Sequence, residues 1–229
     1  MELLAFGDQG WGDEILRATF ITIFVALSAF LIGFIFATLF VFFKLSKKKY
    51  LNFIGNIYTT IFRGVPELLI IYLFFFGGSS AIMFVSKIFG YDGYIEINAF
   101  LTGAISIGII SGAYSTEVLR GAILAIDKSQ FEGAQALGMK RYVYFLKVIT
   151  PQVLRLAIPN LSNVWQITLK DTSLISVTGL VELMRQSYIA SGSTRNPLFF
   201  YLFAAVIYLI LTTFSLKFFN RLEKRYNFS

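Results

Sequence analysis

Long apolar stretches alternate along the chain with short clusters of charged residues. The first stretch, residues 18–43, contains no charged side chain, and as a helix it would be about 39 Å long, enough to cross a bilayer with some tilt. Four further apolar regions cover residues 51–86, 97–118, 156–183 and 198–216. The pattern predicts an all-α membrane protein of about five transmembrane helices that form one transmembrane domain over residues 1–229.

Charged residues also lie inside three of these apolar regions, and those of the second and third regions are considered first. The second region is interrupted by Arg63, Gly64, Pro66 and Glu67. Because proline has no N–H to donate, we expect the helix to kink or restart there, as a hinge, as a cytoplasmic gate or as a simple Arg–Glu pair. In the third region Glu117 precedes Arg120 by three residues, which predicts a structural ion pair on the surface of one helix.

The composition argues against most soluble and catalytic classes. Of the 229 residues, 56% are hydrophobic and only 14% are charged, with a mean hydropathy of +0.70, whereas soluble domains have about 25% charged residues. The chain contains no cysteine and no histidine, which excludes thiol nucleophiles, disulfides and imidazole bases and removes the commonest zinc ligands. We therefore expect neither a catalytic residue nor a metal site in this chain.

The positive charges mark one side of the membrane. The net charge is +7, and most of the 20 basic residues fall in three alternate segments. These residues are Lys44, Lys47, Lys48, Lys49 and Arg63; Arg120, Lys128, Lys140, Arg141, Lys147 and Arg155; and Lys217, Arg221, Lys224 and Arg225. By the positive-inside rule the N-terminus lies outside, whereas the C-terminus and the loop of residues 119–155 lie in the cytoplasm. The charge thus reports topology, and we expect no nucleic-acid partner.

The cytoplasmic loop is long for a connection between spans and has helix signals of its own. The spacing of Ser129 and Glu132 is that of a capping box, which predicts a helix that starts at Ser129 and ends at Gly138. A second short helix is predicted from Lys140 to the residue before Pro151. By itself this pair could be a docking element, an amphipathic pair on the membrane surface or an inert linker, and its small residues favour docking into the groove of a partner.

At this loop the chain resembles a known family. Residues 132–151, EGAQALGMKRYVYFLKVITP, resemble the EAA loop of ABC importer permeases, with Gly133 standing where the family usually has alanine. Three more segments are similar to the polar-amino-acid branch, in particular to the histidine, basic amino acid and opine permeases. They are FRGVPELL (62–69), SGAYSTEVLRGAI (111–123) and LKDTSLISVTGLVELMRQ (169–186).

The resemblance implies one half of a type I importer in the inner membrane of a bacterium. Two permease subunits, identical or homologous, would form the pathway, two cytoplasmic ATPases would hydrolyse ATP, and an extracytoplasmic substrate-binding protein would deliver the solute. ATP and Mg²⁺ are implied on the ATPases and no cofactor on this chain, which has no G-x-x-x-x-G-K-[ST] phosphate loop. The resemblance implies ATPase coupling through Glu132, Gly133, Ala134, Ala136, Leu137, Gly138, Tyr142, Phe145 and Pro151.

Polar residues in the fourth apolar region are candidates for a solute pathway. Thr178, Glu182 and Arg185 follow Asp171 by 7, 11 and 14 residues, and Asn160 precedes it by 11. At about 100° per residue all of them lie within about 40° of Asp171 on one helix face. The carboxylates in such a stripe could bind the amino or guanidinium group of a cationic amino acid. The alternative is structural: Asp171 pairs with Lys170 or another helix, and Glu182 and Arg185 sit near the outer interface.

The residues alone leave two other functions open. A stand-alone secondary carrier or channel would require inverted repeats or an ion site within this chain, and a long docking loop fits it poorly. A structural subunit of a membrane complex would lack the polar stripe. We expect an importer permease, with either this chain or its partner supplying the substrate site.

Overall fold

The computed structural model describes residues 2–7, 10–91, 93 and 98–226, and none of these residues forms a β-strand. The α-helices are α1 (Gly12–Lys44), α2 (Lys49–Gly64), α3 (Glu67–Tyr72), α4 (Gly78–Ile88), α5 (Ala99–Leu124), α6 (Lys128–Ala136), α7 (Arg141–Tyr144), α8 (Thr150–Asp171), α9 (Leu183–Thr194) and α10 (Pro197–Tyr226). π-helical turns at Leu73–Gly77 and Phe145–Ile149 join α3 to α4 and α7 to α8. Two 3-10 helices cover Glu2–Leu4 and Thr172–Thr178.

Four helical stretches in the described part of the chain are long and apolar enough to cross a membrane. They are Gly12–Lys44, Glu67–Ile88, Ala99–Leu124 and Pro197–Tyr226. The start predicted for the third span, residue 97, lies outside the described residues. Helix α8 has 22 residues, which is also long enough for a span, but its polar side chains keep it out of this apolar set.

The second span differs from its predicted extent of residues 51–86. Helix α2 ends at Gly64, Val65 and Pro66 are extended, and the helix restarts at Glu67. The predicted restart at the proline is therefore confirmed. The prediction that residues 51–86 form one broken span is wrong, because α2 is a separate helix packed beside α1 and α5. The Tyr58 hydroxyl fixes α2 by donating a hydrogen bond of 2.7 Å to the carbonyl oxygen of Ile109, a residue in the middle of α5.

The fourth span is also shorter than its predicted range of residues 156–183. Helix α8 ends at Asp171, the chain continues as the 3-10 helix Thr172–Thr178, and Gly179 then turns it with a φ of +88°. Serine, threonine and β-branched residues weaken an α-helix, because their hydroxyls compete for backbone carbonyls and their rotamers are restricted. The Thr178 hydroxyl, for example, donates to the carbonyl oxygen of Ile175 at 2.8 Å.

Close packing of α1 on α5 holds the bundle together. A Cβ atom at Gly33 would lie 2.9 Å from the carbonyl oxygen of Gly108, and one at Gly112 would lie 2.9 Å from that of Gly33. These glycines let the two backbones approach more closely than any side chain would allow. The G-x-x-x-G spacing in α5 is therefore an intramolecular packing device.

The two ends of the bundle differ in charge. Ile15, at the start of α1, packs against Phe200 in the first turns of α10, so α10 starts beside the start of α1 and its basic end reaches the opposite side. Val41, near the end of α1, packs in one cluster with Tyr144. We call the end that carries Lys44 and residues 125–149 the basic side.

Candidate functional site

The loop on the basic side begins with a capped helix. The N-cap of α6 is Asp127, whose Oδ1 accepts a hydrogen bond of 2.8 Å from the backbone N–H of Ser129. The predicted start at Ser129 is therefore wrong, because an aspartate two residues earlier takes the capping position, where its side chain satisfies a free helix donor. This hydrogen bond holds the pKa of the Asp127 carboxyl below its ordinary value.

Gly138 ends this helix as the sequence predicts. Its φ is +69°, its N–H donates to the carbonyl oxygen of Gln135 at 2.9 Å, and the N–H of Met139 donates to that of Ala134 at 3.1 Å. These two bonds form a Schellman motif, which requires a left-handed residue at the position of Gly138. The turn between the two loop helices is thus fixed by backbone geometry.

The second loop helix does not stop before Pro151. Helix α7 continues through the π-helical turn Phe145–Ile149 into α8, and Pro151 is the second residue of α8. Pro151 follows directly after the π-helical turn, where the regular hydrogen-bond pattern of the α-helix is already interrupted. The loop helix and the membrane helix are consequently one continuous rod.

The loop presents two different surfaces. Ala134, Tyr144 and Ile149 are buried in a cluster with residues of α1, α5 and α8, and Phe145 packs against the edge of that cluster. The other candidate coupling residues are exposed: Glu132, Gly133, Ala136, Leu137, Gly138, Tyr142 and Pro151. Leu137 is 81% exposed. The side of the loop around Leu137 is therefore turned away from the membrane helices.

Gly133 offers a direct test of how the loop is built. It lies inside α6, and a Cβ atom there would have no heavy atom within 4 Å. We expect Gly133→Ala to stabilise α6 by about 1 kcal/mol, because glycine is the more flexible residue in the unfolded helix. Hydrogen exchange of the α6 amides in the assembled complex should slow about fivefold. Gly192→Ala in α9, which also has open space, should leave exchange in α6 unchanged, and unaltered exchange in Gly133→Ala would contradict the expectation.

Two cavities lie along the inner helices. The wide cavity, of about 860 Å³, is lined among others by Phe75, Phe76, Ser79, Asn98, Thr178 and Gly179. The basic-side cavity, of about 480 Å³, is lined by Lys44, Thr59, Thr60, Arg63, Gly64, Glu117 and Arg120. Both volumes are in the range of small-molecule sites. Each cavity contains residues that the sequence singles out: Thr178 in the first, Arg63 and Gly64 in the second.

An acidic layer, formed by Glu67, Tyr114 and Asp171, lies between the two cavities. Along α5, Tyr114 is about 21 Å from Phe100 beside the wide cavity and about 4.5 Å from Glu117 in the basic-side cavity, at about 1.5 Å per residue. The Tyr114 hydroxyl donates to Oε1 of Glu67 at 3.3 Å. Helix α3 packs against α5 and against the 3-10 helix that directly follows Asp171, so Glu67 at the start of α3 and Asp171 at the end of α8 lie in one layer of the bundle.

Arg63 completes this arrangement from the basic side. Its guanidinium lies 5.5 Å from the centre of the Tyr114 ring, a cation–π contact. Arg63 and Glu67 therefore both contact Tyr114, one at the ring and the other at the hydroxyl.

The prediction that these polar residues form a single stripe on one helix face is wrong. It assumed one helix from Asn160 to Arg185, but the 3-10 helix and the turn at Gly179 change the direction of the chain. Only Asp171 and Thr178 lie at the acidic layer and the wide cavity. Asn160 is on the exposed surface of α8, and the guanidinium of Arg185 lies over the ring of Tyr188 at 5.5 Å.

Glu182 is a buried helix cap. It is 0% exposed, and its carboxylate accepts the backbone N–H groups of Met184 at 2.9 Å and Arg185 at 2.8 Å. The Tyr208 hydroxyl donates to the same carboxylate at 3.3 Å, and the N–H of Leu183 donates to the Thr22 hydroxyl at 3.0 Å. These bonds join the start of α9 to α10 and α1.

This geometry predicts a structural effect of Glu182. Glu182→Ala leaves two helix N–H groups and the Tyr208 hydroxyl without their buried acceptor, so we expect a loss of about 2–3 kcal/mol of stability. Thermal unfolding of the purified complex should occur at a lower temperature, and the KM for solute in the remaining active fraction should stay constant. Glu182→Asp keeps a capping carboxylate, so its unfolding temperature should lie between those of the unchanged complex and of Glu182→Ala. A raised KM with normal stability would instead place Glu182 in the pathway.

The sequence predicts only one of the two ion pairs in a charged cluster at the basic-side cavity. Nε of Arg120 bonds Oε2 of Glu117 at 2.8 Å, which confirms the predicted pair. Lys44 pairs with the other oxygen of Glu117, and its Nζ also donates to the Thr59 hydroxyl at 2.8 Å. The only sequence signal for Lys44 is its place directly after the first apolar stretch. Tyr114 has no sequence signal for a role in the site, except that it is an aromatic residue inside a predicted span.

A bundle of long apolar helices with polar cavities on both sides of an acidic layer, and with a helical loop on one face, defines a membrane permease. The chain belongs to the family of binding-protein-dependent transport system inner membrane components, whose sequence profile matches residues 29–228. The resemblance to ABC importer permeases of the polar amino acid and opine type is thereby confirmed.

Relatives match the chain over nearly its whole length. The octopine transport system permease protein OccQ of Rhizobium meliloti is 50% identical over 225 residues, which are 98% of this chain and 95% of that protein. The histidine/lysine/arginine/ornithine transport system permease protein HisQ of Escherichia coli is 36% identical over 218 residues, 95% of each chain.

Solved structures share the fold. An amino acid ABC transporter crystallised with histidines has a TM-score of 0.79 at 28% identity, and the match covers 94% of this chain and 95% of that one. The inward-facing MetNI methionine ABC transporter has a TM-score of 0.68 at 15% identity over 94% and 95% of the two chains, a likeness of fold alone. The predicted all-α, type I importer fold is confirmed. The chain is an inner-membrane, multi-pass transport component.

Proposed function

We propose that this chain is the permease subunit of an ATP-driven importer for cationic amino acids or opines, and that Glu67 and Asp171 bind the cationic group of the solute during passage. The observation that carries the proposal is the position of these two carboxylates in one layer of the bundle, between two cavities. Two like charges at membrane depth are costly unless a cation or a water-filled cavity compensates them. An amino or guanidinium group between the carboxylates would do so through charge-assisted hydrogen bonds.

The relatives favour the same solute class. Their names specify octopine, nopaline, arginine, and the group histidine, lysine, arginine and ornithine. A stand-alone carrier or channel is not favoured, since these relatives are components of transport systems. The partners in this proposal are two ATPases, which bind ATP and Mg²⁺, a substrate-binding protein, and a second permease that is either a copy or a homologue.

The proposed orientation follows the charges. With the basic side in the cytoplasm, the wide cavity faces the substrate-binding protein and the basic-side cavity faces the cytoplasm. The exposed surface around Leu137 and Gly138 then meets the ATPase. Because Tyr144 and Ile149 pack on the membrane helices and α7 continues into α8, closure of the ATPase dimer would move these helices as a rigid unit.

The proposal is tested by assembling the complex in proteoliposomes and measuring uptake stimulated by the binding protein. We expect co-purification of an ATPase, and uptake of a radiolabelled basic amino acid or opine that is competed by other cationic solutes and poorly by glutamine. Uptake of neutral solutes alone would overturn the solute class. Uptake by the isolated chain without ATPase or binding protein would support a stand-alone carrier.

A further inference from the structure

The basic-side cavity carries more positive charge than its own side chains neutralise. Three of the described residues that line it are cationic, Lys44, Arg63 and Arg120, and one is acidic, Glu117. Their net charge is therefore +2. Both oxygens of the carboxylate are occupied, because Lys44 pairs with one and Nε of Arg120 bonds the other at 2.8 Å. The positive charge that remains favours an anionic ligand in this cavity.

Arg63 is the cation of this cavity that pairs with no carboxylate. Its guanidinium contacts the ring of Tyr114 at 5.5 Å, and within the described part of the chain it forms no ion pair with an acidic side chain. A guanidinium has five N–H donors in a planar fork, which matches the two oxygens of a carboxylate. Arg63 can therefore bind a carboxylate without breaking an existing ion pair.

One solute molecule is long enough to reach both Arg63 and the acidic layer. The Tyr114 hydroxyl is 3.3 Å from Oε1 of Glu67, and the Tyr114 ring centre is 5.5 Å from the guanidinium of Arg63. Since a phenol oxygen lies about 2.8 Å from its ring centre, the Glu67 oxygen and this guanidinium are at most about 12 Å apart. Extended arginine has about 8 Å between its carboxylate and guanidinium carbons, and a charge-assisted hydrogen bond at each end adds about 2.8 Å.

We propose that the basic-side cavity is a carboxylate subsite of the solute pathway, in which Arg63 binds the carboxylate of the solute while the acidic layer holds its cationic group. The inference rests on the proposed function, from which it takes the solute class. An amino acid balances one of the two net positive charges. An opine has two carboxylates and balances both, with Arg120 as the second donor, because within the described residues only Nε of Arg120 bonds a carboxylate.

A solute without its carboxylate tests the assignment. Agmatine is decarboxylated arginine and keeps the guanidinium and amino groups. Equilibrium binding of both radiolabelled solutes is measured on the complex of permeases and ATPases in nanodiscs, without the binding protein, whose own selectivity would otherwise decide the result. We expect Arg63→Gln to weaken arginine binding about tenfold, through loss of a charge-assisted hydrogen bond, and to leave agmatine binding unchanged or tighter, because a repelling positive charge is removed. Arg63→Lys keeps the charge and should stay within about threefold for arginine.

Equal losses for the two solutes in Arg63→Gln would overturn the subsite in favour of a structural role of Arg63. No loss for either would overturn it in favour of an inorganic anion in the cavity. Arg225→Gln, the same change on a helix that does not line the cavity, should alter neither affinity.

The acidic layer is tested separately in the same assay. Glu67→Gln keeps Arg63 and should weaken arginine and agmatine alike, by about tenfold. Unchanged binding of both solutes in Glu67→Gln would count against the proposed function, whereas the carboxylate subsite would still stand on the difference between arginine and agmatine in Arg63→Gln. Absence of saturable arginine binding to the unchanged complex would overturn both.

Discussion

Neutralising either carboxylate of the acidic layer should lower cationic uptake by at least about tenfold. Asp171→Asn and Glu67→Gln keep the size of each side chain but remove the charge that would pair with the amino or guanidinium group of the solute. A hydrogen bond to a charged partner contributes about 1.5–3 kcal/mol, which corresponds to about a 10- to 150-fold change in affinity. The measurement is kcat/KM for binding-protein-dependent uptake in proteoliposomes.

Selectivity separates this effect from damage to the fold. Each variant should lower the ratio of cationic to glutamine uptake, which misfolding would leave unchanged. The double variant should lose less than the product of the two single losses, because both carboxylates bind one cation. Glu223→Gln, a carboxylate at the far end of α10, serves as the matched control and should transport normally. If Asp171→Asn and Glu67→Gln both leave every cationic solute unaffected, the acidic layer has no role in recognition.

The sequence predicts the helical elements better than their continuity. Hydropathy finds the apolar stretches, and Pro66 correctly predicts a restart, because its effect is local and covalent. The end of α8 was missed because TSLISVT is apolar enough to pass as a span. Its hydroxyls tighten the chain into a 3-10 helix, and Gly179 then turns it, which hydropathy does not register.

Residues brought together by tertiary packing were the hardest to predict. Glu67 and Asp171 are far apart in sequence and were assigned to different roles, a gate and a pathway. They lie in one layer because α3 packs against α5 and against the 3-10 helix that follows α8, and the Tyr114 hydroxyl of α5 donates to Glu67. Glu182 shows the opposite error: helical spacing placed it on a pathway face, whereas it caps α9 in the interior. Charge alone does not separate a buried cap from a binding group.

A charge placed at the loop turn should suppress the ATP hydrolysis that is coupled to transport. Gly138 has a left-handed conformation, which aspartate and asparagine tolerate better than other side chains, and a Cβ atom there meets nothing within 4 Å. Gly138→Asp and Gly138→Asn should therefore both keep the turn. They differ in charge, and burying an unpaired carboxylate in an ATPase groove costs several kcal/mol. We expect about a hundredfold loss of binding-protein-stimulated ATP hydrolysis in Gly138→Asp and only a few-fold loss in Gly138→Asn.

Leu137→Ala tests the same surface without adding a charge. Leu137 is 81% exposed, so its truncation should leave the unfolding temperature of the complex unchanged, whereas loss of a buried apolar anchor at an interface costs about 2 kcal/mol or more. Stimulated ATP hydrolysis and uptake should fall together by about thirtyfold. Leu209→Ala, an equally conservative change on the exposed surface of α10, should have no such effect. Normal coupling in both Gly138→Asp and Leu137→Ala would mean that the ATPase docks elsewhere, because no interface could cover Leu137 and remain indifferent to both changes.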